Sequence, residues 1–224
     1  MQDIVIIITG DGSSSLLNTS LHETYHSRHG AIQESSHVFI DQGLKYFIEE
    51  NQVDKIKILE VGFGTGLNCL LTLEHVLNTK KEIHYTTVEA YPLDQSIWTQ
   101  LNYSEGLSER QNYFNTINKV PWETDQIITS NFSLKKQKGR IQEIDLPSNY
   151  YHIIYFDAFA PNKQPEMWNL DLLTKMACSL MDNGVFVTYC AKGQLKRDLR
   201  SLSLWVESLP GPPGKMEMVR ASKT

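Results

Sequence analysis

Ile58-Leu59-Glu60-Val61-Gly62-Phe63-Gly64-Thr65-Gly66-Leu67-Asn68 is a short apolar run that enters a glycine turn and leaves it as a helical pattern. Glycines at alternate positions let a backbone turn tightly and come close to a ligand, with the N–H groups of the next helix aimed at it. Spacing then separates two cofactors. Dinucleotide binding takes G-x-G-x-x-G, and the third position after Gly64 is Leu67. An acid two residues ahead of G-x-G-x-G is the S-adenosylmethionine pattern, and Glu60 is that acid. A carboxylate there repels a pyrophosphate and attracts the ammonium of a methionine moiety.

Working outward, strand and helix patterns alternate. Residues 3–9, a Gly10-Asp11-Gly12 turn and Ser15-Leu16-Leu17 suggest an N-terminal hairpin. A polar segment from Asn18 to Ser36 follows, then helical spacing from Val38 to Glu50. Strands are expected at Lys57 to Val61, Ile83 to Glu89, Ile153 to Asp157 and Gly184 to Tyr189, with a weak one over Ser133 to Ile144 and closing strands near Trp205 and Met216 to Val219. Helices are expected at Leu67 to Leu77, Leu93 to Leu101, Leu170 to Met181 and Gly193 to Leu199. That order implies an α/β, doubly wound Rossmann-like sheet over 51–224, preceded by an extension of hairpin, flap and lead-in helix over 1–50.

At 224 residues, 41% hydrophobic and 21% charged, the chain has the composition of a soluble globular protein. It has no run near the ~20 apolar residues of a membrane helix. Ile4 to Ile8 is too short for a signal-peptide core, so a cytoplasmic location without a membrane role is expected. The three cysteines, Cys69, Cys178 and Cys190, show no paired spacing and read as reduced. A net charge of −5 does not advertise a nucleic-acid binder, but phosphate contacts need only a patch. Two basic clusters stand out: Lys135, Lys136, Lys138 and Arg140, then Lys192, Lys196, Arg197 and Arg200.

Ligands of such sheets sit at the carboxyl ends of the strands. Glu89, closing its strand, is placed to accept hydrogen bonds from both hydroxyls of a ribose. Asp157 follows the apolar run Ile154-Tyr155-Phe156, with Pro161 stiffening the loop beyond. His22-Glu23-Thr24-Tyr25-His26 matches H-E-x-x-H, but its polar, turn-like flanks do not suit the buried helix that a zinc site of this kind needs, and no metal is expected. A flap including Tyr25, Arg28 and Glu34, covering the cofactor or meeting the substrate, fits better.

Taken together, Glu23-Thr24-Tyr25-His26-Ser27, Gly30 to Ser35, His37-Val38-Phe39, the Glu60 to Asn68 loop, Phe156 to Pro161 with Pro165-Glu166-Met167-Trp168, Thr188 to Gly193 and the tail Gly211 to Met218 resemble the MnmD methyltransferase module of the bifunctional MnmC enzymes. The resemblance implies N-methylation, from S-adenosyl-L-methionine, of the aminomethyl group of 5-aminomethyl-2-thiouridine at the tRNA wobble position. It implies cofactor contacts from Glu34, Phe39, Glu60, Gly62, Gly64, Gly66, Leu67, Asn68, Glu89, Ala90 and Asp157. It also implies a stand-alone form acting after a separate enzyme that makes the aminomethyl group. Two features depart from the family pattern. Lys138-Gly139-Arg140 lacks the acid that follows a glycine there, for which Glu143 or Asp145 could substitute, and Ala90-Tyr91-Pro92 lacks a basic residue after the ribose-binding acid.

Methyl transfer to an amine is an in-line displacement, so alignment, water exclusion and electrostatics dominate. Asp157 is the candidate catalytic residue, orienting the nitrogen and stabilising the cationic product more than abstracting a proton. Tyr25, Phe159 and Tyr189 could stack on a flipped anticodon base, with Pro161 beside them. Lys192, Lys196, Arg197 and Lys215 could meet phosphates of the anticodon stem-loop. A methyltransferase or aminopropyltransferase acting on a small-molecule amine would share the cofactor loop and strand-end acids without needing the basic loops. A non-catalytic RNA-binding module would not need the loop, and a dehydrogenase fails on its glycine spacing.

Overall fold

The structure is a computed structural model and describes residues 4–103 and 108–224. The expected strand start at Asp3 lies outside these residues. β1 (Ile4–Ile8) and β2 (Ser14–Asn18) pair antiparallel with Ile8 opposite Ser14, and β3 (Glu23–Thr24) adds to the same small sheet. Asp11 fastens the turn. Its Oδ1 accepts from Thr9 Oγ1 at 2.8 Å and Ser13 N at 3.0 Å, while Oδ2 accepts from Gln33 N at 3.0 Å in the following helix. The H-E-x-x-H residues run through β3 rather than a helix, so the i, i+4 pairing of imidazoles is not made. His26 is instead buried with Nδ1 3.1 Å from Ser15 Oγ, and burial lowers its pKa to about 4.

A continuous helical run then covers 31–50: α-helical Ala31–Ser35, π-wound Ser36–Lys45 and α-helical Tyr46–Glu50. Sequence periodicity started this helix only at Val38. Its first turn buries Ala31, Glu34 and Ser35, and two polar residues on an inward face hide the apolar stripe. The run packs on the main sheet, Phe39 against Tyr155 with ring centroids 5.2 Å apart.

That sheet has eight strands in the order β10-β11-β9-β8-β4-β5-β7-β6, taken from β4 (Lys55–Val61), β5 (Glu82–Glu89), β6 (Asp125–Thr129), β7 (Phe132–Lys138), β8 (Tyr151–Phe156), β9 (Leu180–Thr188), β10 (Leu204–Pro210) and β11 (Glu217–Lys223). The five strands β9-β8-β4-β5-β7 are mutually parallel, and β6, β11 and β10 run antiparallel to their neighbours. Alternation along β4 separates two cores. Ile56 and Ile58 pack under helices 31–50, Leu67–Val76 and Ser108–Lys119, while Leu59 and Val61 pack with Leu170–Ser179 and Gly193–Ser201 on the opposite face. The chain leaves β4 towards β5 on one side and returns to β8 on the other. The C-terminal ends of β4, β5 and β8 therefore enclose the crevice at a topological switch point.

The structure contains two elements that pattern reading missed. The Ser108–Lys119 helix buries only Phe114 and Ile117, and β6 is a short edge strand with Ile127 exposed, so neither shows a strong apolar period. Of the helix expected at Leu93 to Leu101 only Gln95–Trp98 forms, capped by Asp94 Oδ1 accepting from Ser96 N at 2.8 Å. β7 stops at Lys138, where Gly139 N donates to Glu89 O at 3.0 Å, so the strand expected through Ile144 is cut short. The first basic cluster is also not one face. Lys136 points inward, 1% exposed, and donates to the carbonyls of Ile117 and Asn118 at 3.1 and 2.8 Å. A cation at the C-terminal end of a helix complements its dipole, and burial lowers the Lys136 pKa to about 8.

Candidate active site

Two glycines shape the floor of the crevice. Gly62 follows β4 at φ +94°, and its N–H donates to Val88 O at 2.9 Å. A Cβ there would come within 2.6 Å of the Asp157 carbonyl oxygen, so β4 and the β8 exit touch backbone to backbone. Gly64, at φ +50°, donates its N–H to Glu89 Oε2 at 3.0 Å. An added Cβ at Gly64 would meet only the Tyr25 ring, at 3.2 Å. The open side of this loop faces a cavity of about 330 Å³, within the ~300–1,000 Å³ usual for small-ligand sites.

At one end stands Glu89, whose Oε1 accepts from Tyr91 N at 2.8 Å and whose Oε2 accepts from Gly64 N. A carboxylate has about four lone-pair sites, so acceptors remain for a diol. Burial raises the Glu89 pKa, and the backbone N–H bonds pull against that rise. Near Glu89 the wall is made by Ala90, Tyr91, Gly139, Arg140, Ile141, Gln142, Glu166 and Met167. The Tyr91 side chain beside Arg140 raises the guanidinium pKa. Neither Glu143 nor Asp145 lines the cavity, so neither supplies the missing acid.

At the other end Asp157 Oδ2 accepts from Asn68 Nδ2 at 2.9 Å. Burial first, then the negative charge of Glu34, push its pKa up to about 7, against the Asn68 hydrogen bond and the Lys215 cation. Glu34 and Lys215 join the two ends of the chain. Glu34 Oε1 accepts from Lys215 Nζ at 2.6 Å, Oε2 accepts from Ser27 N at 2.5 Å, and Lys215 Nζ lies 3.6 Å from the centroid of the Tyr189 ring. Tyr189 in turn donates its hydroxyl to Ala158 O at 2.8 Å. Overhead, Tyr25 meets Phe159 edge-on at 5.1 Å, and Lys163 Nζ donates to Leu21 O at 2.8 Å, tying the loop after β8 to the N-terminal segment. Of the expected flap, Tyr25 and Glu34 are built into the cavity wall, whereas Arg28 does not line it.

The cavity therefore gathers Tyr25, Glu34, Gly62, Gly64, Leu67, Asn68, Glu89, Ala90, Asp157, Phe159, Tyr189 and Lys215 from the residues singled out by sequence. Others are placed elsewhere. Phe39 sits in the core against Tyr155, 1% exposed, and so cannot touch a ligand in the cavity. Glu60 corrects the simplest reading of the motif: it is fully buried beneath the Leu67–Val76 helix, off the cavity wall, and desolvation raises its pKa well above the usual range. With both carboxylate oxygens out of reach of solvent and off the cavity wall, it is not placed as a direct partner of an ammonium in the cavity. Gly66 turns the chain into the helix away from the wall. Pro161 and Lys192 line an adjoining groove, Lys196 is paired with Glu217 at 2.5 Å, and Arg197 Nη2 donates to Gln194 Oε1 at 2.7 Å. Gln142 carried no local signal of a site, and Arg140 and Glu166 were singled out only within longer motifs, because their place is set by where the loops after β7 and β8 meet.

A family model described as S-adenosyl-L-methionine-dependent methyltransferase matches residues 109–224. The chain belongs to that family. Among proteins similar to this methyltransferase is the tRNA 5-methylaminomethyl-2-thiouridine biosynthesis bifunctional protein MnmC of Methylobacillus flagellatus, 28% identical over 212 residues, which are 88% of this chain and 32% of that one. The MnmC protein of Leptospira interrogans is 28% identical over 229 residues, covering 96% of this chain and 35% of its own length. The methyltransferase thus spans about a third of these curated relatives. The crystal structure of MNMC2 from Aquifex aeolicus superposes with a TM-score of 0.83 at 27% identity, covering 99% of this chain and 71% of that one.

The residues present suit S-adenosyl-L-methionine. Gly64 leaves a cradle that a side chain would fill, Glu89 keeps free acceptors for a ribose, and Asp157 offers a carboxylate to cationic groups at the far end. Among the described residues no helix is long and apolar enough to cross a membrane.

Proposed function

We propose that this methyltransferase methylates the exocyclic amine of 5-aminomethyl-2-thiouridine at the wobble position of tRNA, acting after a separate enzyme that makes the aminomethyl group. The observation that carries the reading is Asp157. It is half-buried in the cavity wall, at the β8 side of β4 where Glu89 holds the β5 side, and is flanked by the Glu34–Lys215 pair, a charge arrangement for receiving an amine, in a chain similar along most of its length to MnmC proteins.

When bound, the cofactor supplies an electrophilic methyl on a cationic sulfur. Glu89 and the Gly62–Gly64 turn hold the nucleoside part. Asp157 accepts a hydrogen bond from the acceptor nitrogen, directs its lone pair and stabilises the cation that forms, while Asn68 fixes the carboxylate by donating to Oδ2. Tyr25 and Phe159 close the cavity above and help to exclude water.

With a pKa of about 7, Asp157 passes from neutral to ionised across neutral pH, so kcat/KM should rise with pH through that value. Glu34→Gln removes a negative neighbour and should move the acid limb to lower pH. Lys215→Gln removes a positive one and should move it to higher pH. A purely structural defect would lower the rate without opposite displacements of the limb.

The decisive assay is transfer of labelled methyl from S-adenosyl-L-methionine to tRNA from cells lacking this modification, beside fully modified tRNA and a small amine. Label only in the deficient tRNA, mapped to the wobble uridine, is the expected result. Label in the small amine alone would replace the reading by a small-molecule methyltransferase.

A further inference from the structure

Beyond the loop after β8 the cavity opens into a shallower groove that shares Ala160, Tyr189 and Lys215 with it and continues over Pro161, Lys192 and Met216. Met216 is 94% exposed, so nothing in the described structure packs on it. Yet its backbone is braced. Gly211 N donates to Met216 O at 3.1 Å, Lys215 N donates to Pro212 O at 2.9 Å, and the neighbouring Lys215 side chain is clamped to Glu34. An apolar side chain held out on a braced turn beside a mostly apolar floor is suited to a flat, weakly hydrated face such as a nucleobase.

The charges agree. Glu217 at the edge would repel a phosphate, but Lys196 pairs with it at 2.5 Å, and Lys215 is already matched by Glu34. Lys192 is exposed and has no ion-pair partner among the described residues, and Arg197 on the adjoining helix bonds only a neutral amide. The spare charge at the groove is therefore positive. Single-stranded nucleic acid is held by a face for the base with a cation beside it for the phosphate, and the polarisable thioether of Met216 against the flat base serves as that face.

We propose that this groove holds the nucleotide adjacent to the acceptor in a single-stranded RNA loop, its base against Met216 and Pro161 and its phosphate towards Lys192. Continuity with the active-site cavity through Ala160 and Tyr189 puts the two nucleotides side by side on one strand. The inference rests on the tRNA reading above and adds to it a subsite that recognises the loop without touching the reacting group.

The test uses the full chain and an anticodon stem-loop carrying 5-aminomethyluridine at the wobble position, with variants that lack the base immediately before or after it. Binding is read by fluorescence anisotropy and methylation by label transfer. One abasic variant should bind the wild type about fivefold more weakly, the scale of a lost sulfur–aromatic contact. Met216→Ser, an exposed change that leaves the fold alone, should weaken the intact loop severalfold, and the abasic variant should cost that protein clearly less than it costs the wild type. Additive losses, or no loss from either abasic variant while the intact loop is bound and methylated, would reject the subsite and leave the tRNA reading standing. Failure of the wild type to bind or methylate any RNA would reject both.

Discussion

Asp157→Asn should lower methyl transfer by about 10²-fold or more while the folded protein is no less stable at pH 8, measured by single-turnover label transfer and thermal unfolding. The rate falls because an amide in the same place carries no charge to draw the acceptor nitrogen in or to stabilise the ammonium that forms. Stability should hold for a reason of opposite sign. The Asp157 pKa rises from 3.8 to about 7 on folding, so between those values the folded chain binds a proton that the unfolded chain does not. Stability therefore falls as pH climbs through this window, and above it the wild type bears the cost of a partly desolvated carboxylate. Asparagine removes that cost. Wild-type turnover in Asp157→Asn would take the residue out of the chemistry, and a collapse of stability would make it a structural group.

Gly64→Val should abolish detectable binding of S-adenosyl-L-methionine, a loss of at least about 100-fold by calorimetry, with only a modest loss of stability. The added Cβ would approach no protein atom but the Tyr25 ring, at 3.2 Å, and the left-handed backbone costs about 1–2 kcal/mol, or roughly 5 °C in a chain of this size. Gly62→Val should behave differently. Its Cβ would press on the Asp157 carbonyl, where two strands are joined, so the expected outcome is no folded protein. Normal cofactor binding by Gly64→Val would show that the loop does not hold the ligand.

Much of this molecule was legible in the chain because its signals are local. The parallel strands β4 and β8 are largely apolar and β5 is rich in β-branched residues, all of strand length, and the glycine spacing at 62, 64 and 66 requires nothing beyond neighbouring residues to be read. Strand ends then single out Glu89 and Asp157, because chain direction in a parallel sheet sends successive carboxyl ends to one edge. Lys136 shows where this reasoning stops: in sequence it belongs to a basic cluster, but strand alternation turns it into the core, where two helix carbonyls hold it.

The sequence by itself determined the sheet class, the cofactor loop and the acids at the strand ends, since each follows from periodicity or spacing within about ten residues. Only the tertiary structure decided that Glu60 lies beneath the turn instead of facing the ligand, that Phe39 is core, and that Glu34 and Lys215 meet beside Asp157. The reason is physical. A pattern shows which side of an element a residue occupies, but which distant element covers that side is set by packing, and the charges that set the Asp157 pKa come from opposite ends of the chain.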